Sequence, residues 1–208
     1  MSLDTQTKLA IYRHFAETGQ RPSLQVVAER VRADVNNVRE AYVRLRTQRV
    51  LVLEPDGESI RMAPPFSGVP TQHVVIVDET IYFANCAWDS FGIPAALQRP
   101  GQVYSRCEQS GEPLNLEIGL EGPPPCSWLF HCLVPAAKRW DDIVTTCFSS
   151  GGKNGFVSGA PRMVIPCDRW SRWTSYGRSR RLAIRRAYKR TRGVRSPMRC
   201  VPSSRSSA

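Results

Sequence analysis

Two side chains that can carry chemistry lie close together in the segment FANCAWDSFGIPAAL. Cys86 and Asp89 are three residues apart, and on a helix this spacing places both on one face. Asn85 is a suitable N-cap, which makes Cys86 the first helical residue, where unpaired N–H groups and the helix dipole favour a thiolate. A buried cysteine beside a surface aspartate has the same spacing, so both interpretations remain open.

A second thiol, Cys147, ends the apolar run WDDIVTTC. The pattern predicts a strand over about 143–146, at whose end a side chain projects into a cleft. The three histidines lie in contexts that do not indicate a Cys–His pair, and no Ser/His/Asp order, P-loop or dinucleotide fingerprint is present in the sequence. Two thiols and one carboxylate without a usable histidine instead suit the binding of a soft metal.

The other cysteines indicate a reduced protein. The chain has seven cysteines, no CxxC pair and no apolar export segment near residue 1, so we expect free thiols in the cytoplasm. Cys126, His131 and Cys132 come nearest to a zinc-binding set. The alternation of Cys126, Trp128, Phe130 and Cys132 favours the buried face of a strand instead.

The positive charge is confined to the end of the chain. The net charge is +11 overall, but it is −3 over residues 1–150 and +14 over the Arg/Ser-rich residues 151–208. Three interpretations of this basic tail stay open: an extension that binds nucleic acid or acidic partners, a poorly ordered end without function, or the product of a changed reading frame. No run reaches the ~18 apolar residues of a membrane helix.

Residues 1–63 predict a winged-helix-like domain of three helices and a β-hairpin. The first apolar stripe ends at Gly19, Ser23 is a good N-cap for the second helix, and a turn within 50–62 predicts the hairpin. This region has a net charge of only +2. Recognition of DNA bases by the start of the third helix is therefore the weaker interpretation; the candidate residues are Asn36, Asn37 and Arg39. We expect no nucleic-acid partner.

The rest of the body predicts an α+β fold. Residues 64–70 are a linker by composition, and 71–150 form a small mixed β-sheet catalytic domain with a helix over 85–91 that Gly92 and Pro94 end. Strands are predicted at 73–77, 80–83, 102–106, 114–118, 128–134 and 143–146.

The stretch from Pro65 to about Ser150 resembles the bacterial organomercurial (alkylmercury) lyases. The segments CAWDSFGIPAAL, RCEQSGEP, VPAA and WDDIVTTC occur in that family's order, and a winged-helix-like N-terminal domain also belongs to the family. By motif position, the resemblance implies that Cys86 and Cys147 bind mercury, that Asp89 carries the proton, and that Cys107 is structural. Residues 151–208 do not resemble the family's continuation, which favours the changed-frame interpretation of the tail.

The resemblance further implies the reaction and its partners. The expected activity is protonolysis of the carbon–mercury bond of an organomercurial substrate, giving a hydrocarbon and Hg(II) without an organic cofactor. Cellular thiols or a mercuric reductase would then accept Hg(II), and no membrane partner is expected. The alternatives are a winged-helix, mercury-responsive DNA-binding regulator and a mercury-binding homologue inactivated by its altered end.

Overall fold

The computed structural model describes residues 1–107 and 110–125 with their side chains, together with the backbone of three strands further along the chain. The described residues form four helices: α1 (Leu3–Thr18), α2 (Leu24–Val31), α3 (Val35–Thr47) and α4 (Ala87–Leu97). They also form ten strands: β1 (Val52–Leu53), β2 (Ile60–Ala63), β3 (Phe66–Ser67), β4 (Val74–Val77), β5 (Thr80–Phe83), β6 (Gly101–Arg106), β7 (Pro113–Ile118), β8 (Leu129–Cys132), β9 (Cys147–Ser150) and β10 (Met163–Pro166). The predicted mixture of helix and sheet is confirmed.

The N-terminal helices begin and end at the residues that cap them. Gly19 follows α1 with a left-handed φ of 71° and donates its backbone N–H to the carbonyl of Phe15 at 2.8 Å, a conformation that glycine adopts without strain. Ser23 precedes α2, and its hydroxyl accepts from the N–H of Val26 at 3.2 Å. These two predictions are confirmed. In the described part of the chain, no helix is long and apolar enough to cross a membrane.

The predicted hairpin after α3 is also present. Strands β1, β2 and β3 form an antiparallel sheet in that order. The turn between β1 and β2 is held by Asp56, whose carboxylate accepts from the backbone N–H groups of Glu58 at 2.9 Å and Ser59 at 2.8 Å. Three helices followed by a small sheet are therefore the first unit along the chain.

The predicted linker contains the buried junction between this unit and the next sheet. Its residues from Pro64 to Ser67 are buried. Phe66 stacks on Phe15 of α1 with ring centroids 5.4 Å apart, and the hydroxyl of Tyr12 donates to the carbonyl of Pro64 at 3.1 Å. A composition rich in proline predicts a linker, but Phe66 within this segment belongs to a core shared by the helices and strands. The division into domains remains a prediction.

The second sheet has four antiparallel strands in the order β5-β4-β6-β7. The turn between β4 and β5 consists of Asp78 and Glu79, both with positive φ, as a two-residue hairpin of right-handed twist requires. Burial alternates along β6, where Val103 and Ser105 are buried. Helix α4 packs against β4 and β6. The second sheet therefore supports this helix.

The third sheet joins distant parts of the chain. Its antiparallel order is β10-β8-β9, with Cys132 of β8 opposite Cys147 of β9. Strand β8 lies within the predicted strand 128–134, whereas the predicted strand 143–146 lies outside the described residues. Strand β10 belongs to the basic tail, where no strand is predicted from the sequence. Strand β9 lies against α4, which brings the third sheet to the same helix.

Candidate active site

The candidate site is built on the start of α4. Cys86 is the N-cap of this helix, with an extended backbone (φ −157°, ψ 173°), and Ala87 is the first helical residue. The prediction that Asn85 caps the helix is wrong by one position. The reason is that the first helical hydrogen bond runs from the N–H of Ser90 to the carbonyl of Cys86, at 3.1 Å, while the Asn85 side chain is bonded elsewhere. Asp89 is the third helical residue.

Helix α4 is longer than its sequence predicts. It passes through Gly92 and Pro94 and ends at Leu97. Proline removes one backbone N–H donor, but the residues around it are apolar and Phe91 and Leu97 are buried. Their burial favours continuation of the helix. A Cβ at Gly92 would lie 3.1 Å from the Cβ of Pro65, so glycine here permits the close approach of the junction to the helix.

Cys86 is shielded from solvent and lies at the positive end of a helix. Only 4% of its surface is exposed. Its side chain makes no capping hydrogen bond with the helix, in contrast to Ser23 at the start of α2. The N–H groups of the first turn have no intrahelical acceptor, and together with the helix dipole they stabilise a nearby negative charge. Cys86 is therefore a buried thiol at the start of a helix, and it is a candidate ligand for a soft metal.

Asp89 is half-buried and is held by Asn85. The carboxamide nitrogen of Asn85 donates to Oδ2 of Asp89 at 3.0 Å and lies 3.3 Å from the carbonyl of Pro65. Asn85 is 3% exposed, and its Oδ1 is buried without a hydrogen-bond partner among the described residues. Sequence reasoning missed this contact. The signal that could have found it is an amide four residues before the carboxylate, just upstream of the helix.

Cys147 is the first residue of β9, the strand that lies against α4. The topology therefore brings the two elements that carry Cys86 and Cys147 together, although these residues are 61 positions apart along the chain. The described side chains do not include that of Cys147. Its participation in the site remains a prediction.

Two other predictions concern cysteines away from the helix. Cys107 is 4% exposed. Its N–H donates to the carbonyl of Glu112 at 2.9 Å, and its carbonyl accepts from the N–H of Gly111 at 2.8 Å, which closes the turn after β6.

The side chains of the candidate set Cys126, His131 and Cys132 lie outside the described residues. Among the side chains that are described, no group of three His, Cys, Asp or Glu residues is placed to hold a metal ion.

His73 is a core histidine. It is 4% exposed, and its Nδ1 lies 2.8 Å from the hydroxyl of Ser105 on β6. Burial lowers the pKa of His73 to about 4, because desolvation disfavours the charged imidazolium. The ring is therefore neutral at pH 7 and bonded within the sheet.

Comparisons with known proteins agree with the motifs. The fold is similar to that in the crystal structure of the mercury-bound form of MerB2, with a TM-score of 0.63, 16% sequence identity, and coverage of 85% of this chain and 91% of that one. Residues 66–150 match the family model of MerB, alkylmercury lyase. An alkylmercury lyase of Streptomyces lividans is 34% identical over an alignment of 104 residues. This alignment covers 47% of this chain and 48% of that protein. The chain thus matches about half the length of this curated relative, and the predicted family resemblance is confirmed for this segment.

Proposed function

We propose that this protein is an organomercurial lyase that cleaves the carbon–mercury bond by protonolysis, as a step of mercury detoxification. The observation that carries the proposal is that Cys86 is the N-cap of α4 and Asp89 lies in the first turn of the same helix, inside the segment that matches the alkylmercury lyase family model. A soft metal binds thiolates in preference to oxygen ligands, and a half-buried carboxylate can accept and return a proton.

The first step is capture of the organomercurial by sulfur. The thiol of Cys86 loses its proton and displaces the ligand opposite carbon, so that a sulfur–mercury bond forms and the displaced ligand leaves with the proton. The location of Cys86 at the start of α4, inside the segment that matches the family model, supports its assignment to this step. The carbon–mercury bond is still intact at this stage.

The second step activates carbon. The thiol of Cys147 passes its proton to the carboxylate of Asp89, and the resulting thiolate binds the same mercury atom. Each added thiolate donates electron density to mercury and makes the bound carbon more basic. The location of β9 against α4 supports this assignment, because it is the arrangement that such an exchange requires.

The third step breaks the bond. Asp89 gives its proton to carbon, the carbon–mercury bonding pair becomes the new carbon–hydrogen bond, and the hydrocarbon leaves. Hg(II) stays bound to two sulfurs, and the carboxylate is restored. In this scheme, cellular thiols or a mercuric reductase then remove Hg(II) in the cytoplasm. No organic cofactor takes part in any step.

We further propose that α1–α3 with β1–β3 are a winged-helix module that packs against the site instead of reading DNA. On α3, the guanidinium of Arg39 bonds to the side chain of Asn36 and donates to Glu58 of the hairpin, the latter at 2.8 Å. Arg44 is paired with Asp4 at 2.9 Å. These contacts occupy side chains that would otherwise face phosphates or bases. The comparisons give no support to a DNA-binding regulator.

The test is capture and release of phenylmercury by the full, reduced chain. The parent should bind phenylmercury and release benzene, whereas Cys86→Ser and Cys147→Ser should each abolish release under excess competing thiol. Cys200→Ser is the matched control, because it removes a thiol outside the matched segment, and it should release benzene at the parental rate. Unchanged release by either site variant would reject that residue's assignment, and no release by the folded parent would reject the proposed function.

A further inference from the structure

We propose that Asn85 is a positioning residue for this site. It holds the carboxylate of Asp89 in place by linking it to Pro65, whose neighbours in the chain contact α1. This inference rests on the proposed function for the role of Asp89. The contact itself is seen in the structure, where the buried carboxamide of Asn85 lies between a carboxylate oxygen of Asp89 and the backbone carbonyl of Pro65.

The orientation of the Asn85 amide follows from its two neighbours. Its nitrogen lies 3.0 Å from Oδ2 of Asp89 and 3.3 Å from the carbonyl of Pro65, and both of those atoms are acceptors. The opposite orientation would place the amide oxygen against a carboxylate oxygen and a carbonyl oxygen, which repel it. The two N–H bonds of one NH2 group therefore tie Asp89 to Pro65.

The residues on either side of Pro65 are packed in the core. The carbonyl of the preceding residue, Pro64, accepts from the hydroxyl of Tyr12 on α1 at 3.1 Å. The following residue, Phe66, is 1% exposed and stacks on Phe15. Gly92 lets the Pro65 ring approach α4 closely. The carboxamide is thus held by parts of the chain that are packed in the core.

The bridge is formed by a polar side chain that is buried. Asn85 is 3% exposed, and its Oδ1 has no hydrogen-bond partner among the described residues. Orientation of a carboxylate needs an N–H donor, which the amide of Asn85 supplies and an apolar side chain of similar volume would not.

The activity test uses Asn85→Leu and Asn85→Ala in the full chain, with Ser90→Ala as the control. Ser90 is 1% exposed and bonds to the carbonyl of Ala87 in the same turn, so it matches Asn85 in burial and location. Both Asn85 variants should still capture phenylmercury but release benzene about 10–100-fold more slowly per folded molecule, as for loss of an orienting partner. Ser90→Ala should retain the parental rate. Parental release by Asn85→Leu would overturn the proposal.

A double-mutant comparison shows whether Asn85 acts through Asp89. In the Asp89→Asn background, Asn85→Ala should slow the residual release less than twofold, because the carboxylate that it positions is gone. The same fold-change in both backgrounds would mean that Asn85 acts independently of Asp89. That result would overturn the positioning role.

A spectroscopic readout separates this proposal from the proposed function. At fixed pH, the carboxyl carbon resonance of Asp89, assigned by its loss in Asp89→Asn, should shift in Asn85→Ala and stay unchanged in Ser90→Ala. An unchanged resonance in Asn85→Ala would refute the contact, whether or not the parent releases benzene. A parent that releases no benzene while the resonance shifts would refute the lyase function and leave the contact established.

Discussion

Acid should destabilise this protein through one buried histidine. The unfolded chain holds the His73 ring at its ordinary pKa of 6.5, whereas burial lowers the pKa of the folded state to about 4. The unfolded state therefore binds the proton first, and stability that is present above pH 6.5 is lost as the pH falls toward 4. With these two values, the free energy of unfolding should fall by about 2 kcal/mol between pH 7 and pH 5 on account of His73.

The assay is urea unfolding at pH 7, 6 and 5, with His73→Gln beside the parent. Carboxylates titrate mostly below this window, so histidines dominate it. The pKa of His14 is lowered too, by burial and then by Arg30, so it adds a loss of the same sign, and His14→Gln is the matched control. The His73→Gln variant should lose most of the pH dependence, and the His14→Gln variant should keep most of it. If His73→Gln retains the full fall in stability between pH 7 and pH 5, the reasoning is refuted.

Two further predictions concern the elements around the site. Tyr12→Phe removes the donor to the carbonyl of Pro64 and should lower the free energy of unfolding by about 1–3 kcal/mol, as for a buried acceptor left unpaired; an unchanged urea midpoint would contradict this. Truncation after Pro166 keeps β10 and should preserve benzene release, whereas truncation after Lys153 removes the strand that pairs with β8 and should reduce release. Equal release by both truncated chains would show that β10 is dispensable.

Local signals predicted the parts of the fold that depend on neighbouring residues. Gly19 and Ser23 cap helices because left-handed backbone and a short hydroxyl side chain are what those ends require. The turn at Asp78 and Glu79 lies between two apolar runs, and the predicted strands on either side of it pair as antiparallel neighbours. The spacing of Cys86 and Asp89 also predicted that both lie at the start of one helix, and the structure places Cys86 at its N-cap and Asp89 in its first turn.

The features that were missed depend on contacts between distant segments. Proline and glycine predict the end of a helix, but α4 continues because its apolar residues are buried against the sheet and because Gly92 admits Pro65. The Pro-rich segment 64–70 has the composition of a linker, and contacts with α1 such as the packing of Phe66 on Phe15 show that it enters the core. The bond from Asn85 to Asp89 requires the helix to start at Ala87, one residue later than its best capping side chain predicts.

Headspace measurement of benzene from phenylmercury, with Asp89→Asn beside the parent, tests the central claim most directly. Asparagine keeps the size and hydrogen bonding of aspartate but cannot carry a proton. The variant should therefore capture phenylmercury on its thiols as the parent does, yet release benzene about 10²–10⁴-fold more slowly, the usual contribution of a general acid–base group. Near-parental release by folded Asp89→Asn would contradict the account, because the proton that breaks the carbon–mercury bond would then come from another group.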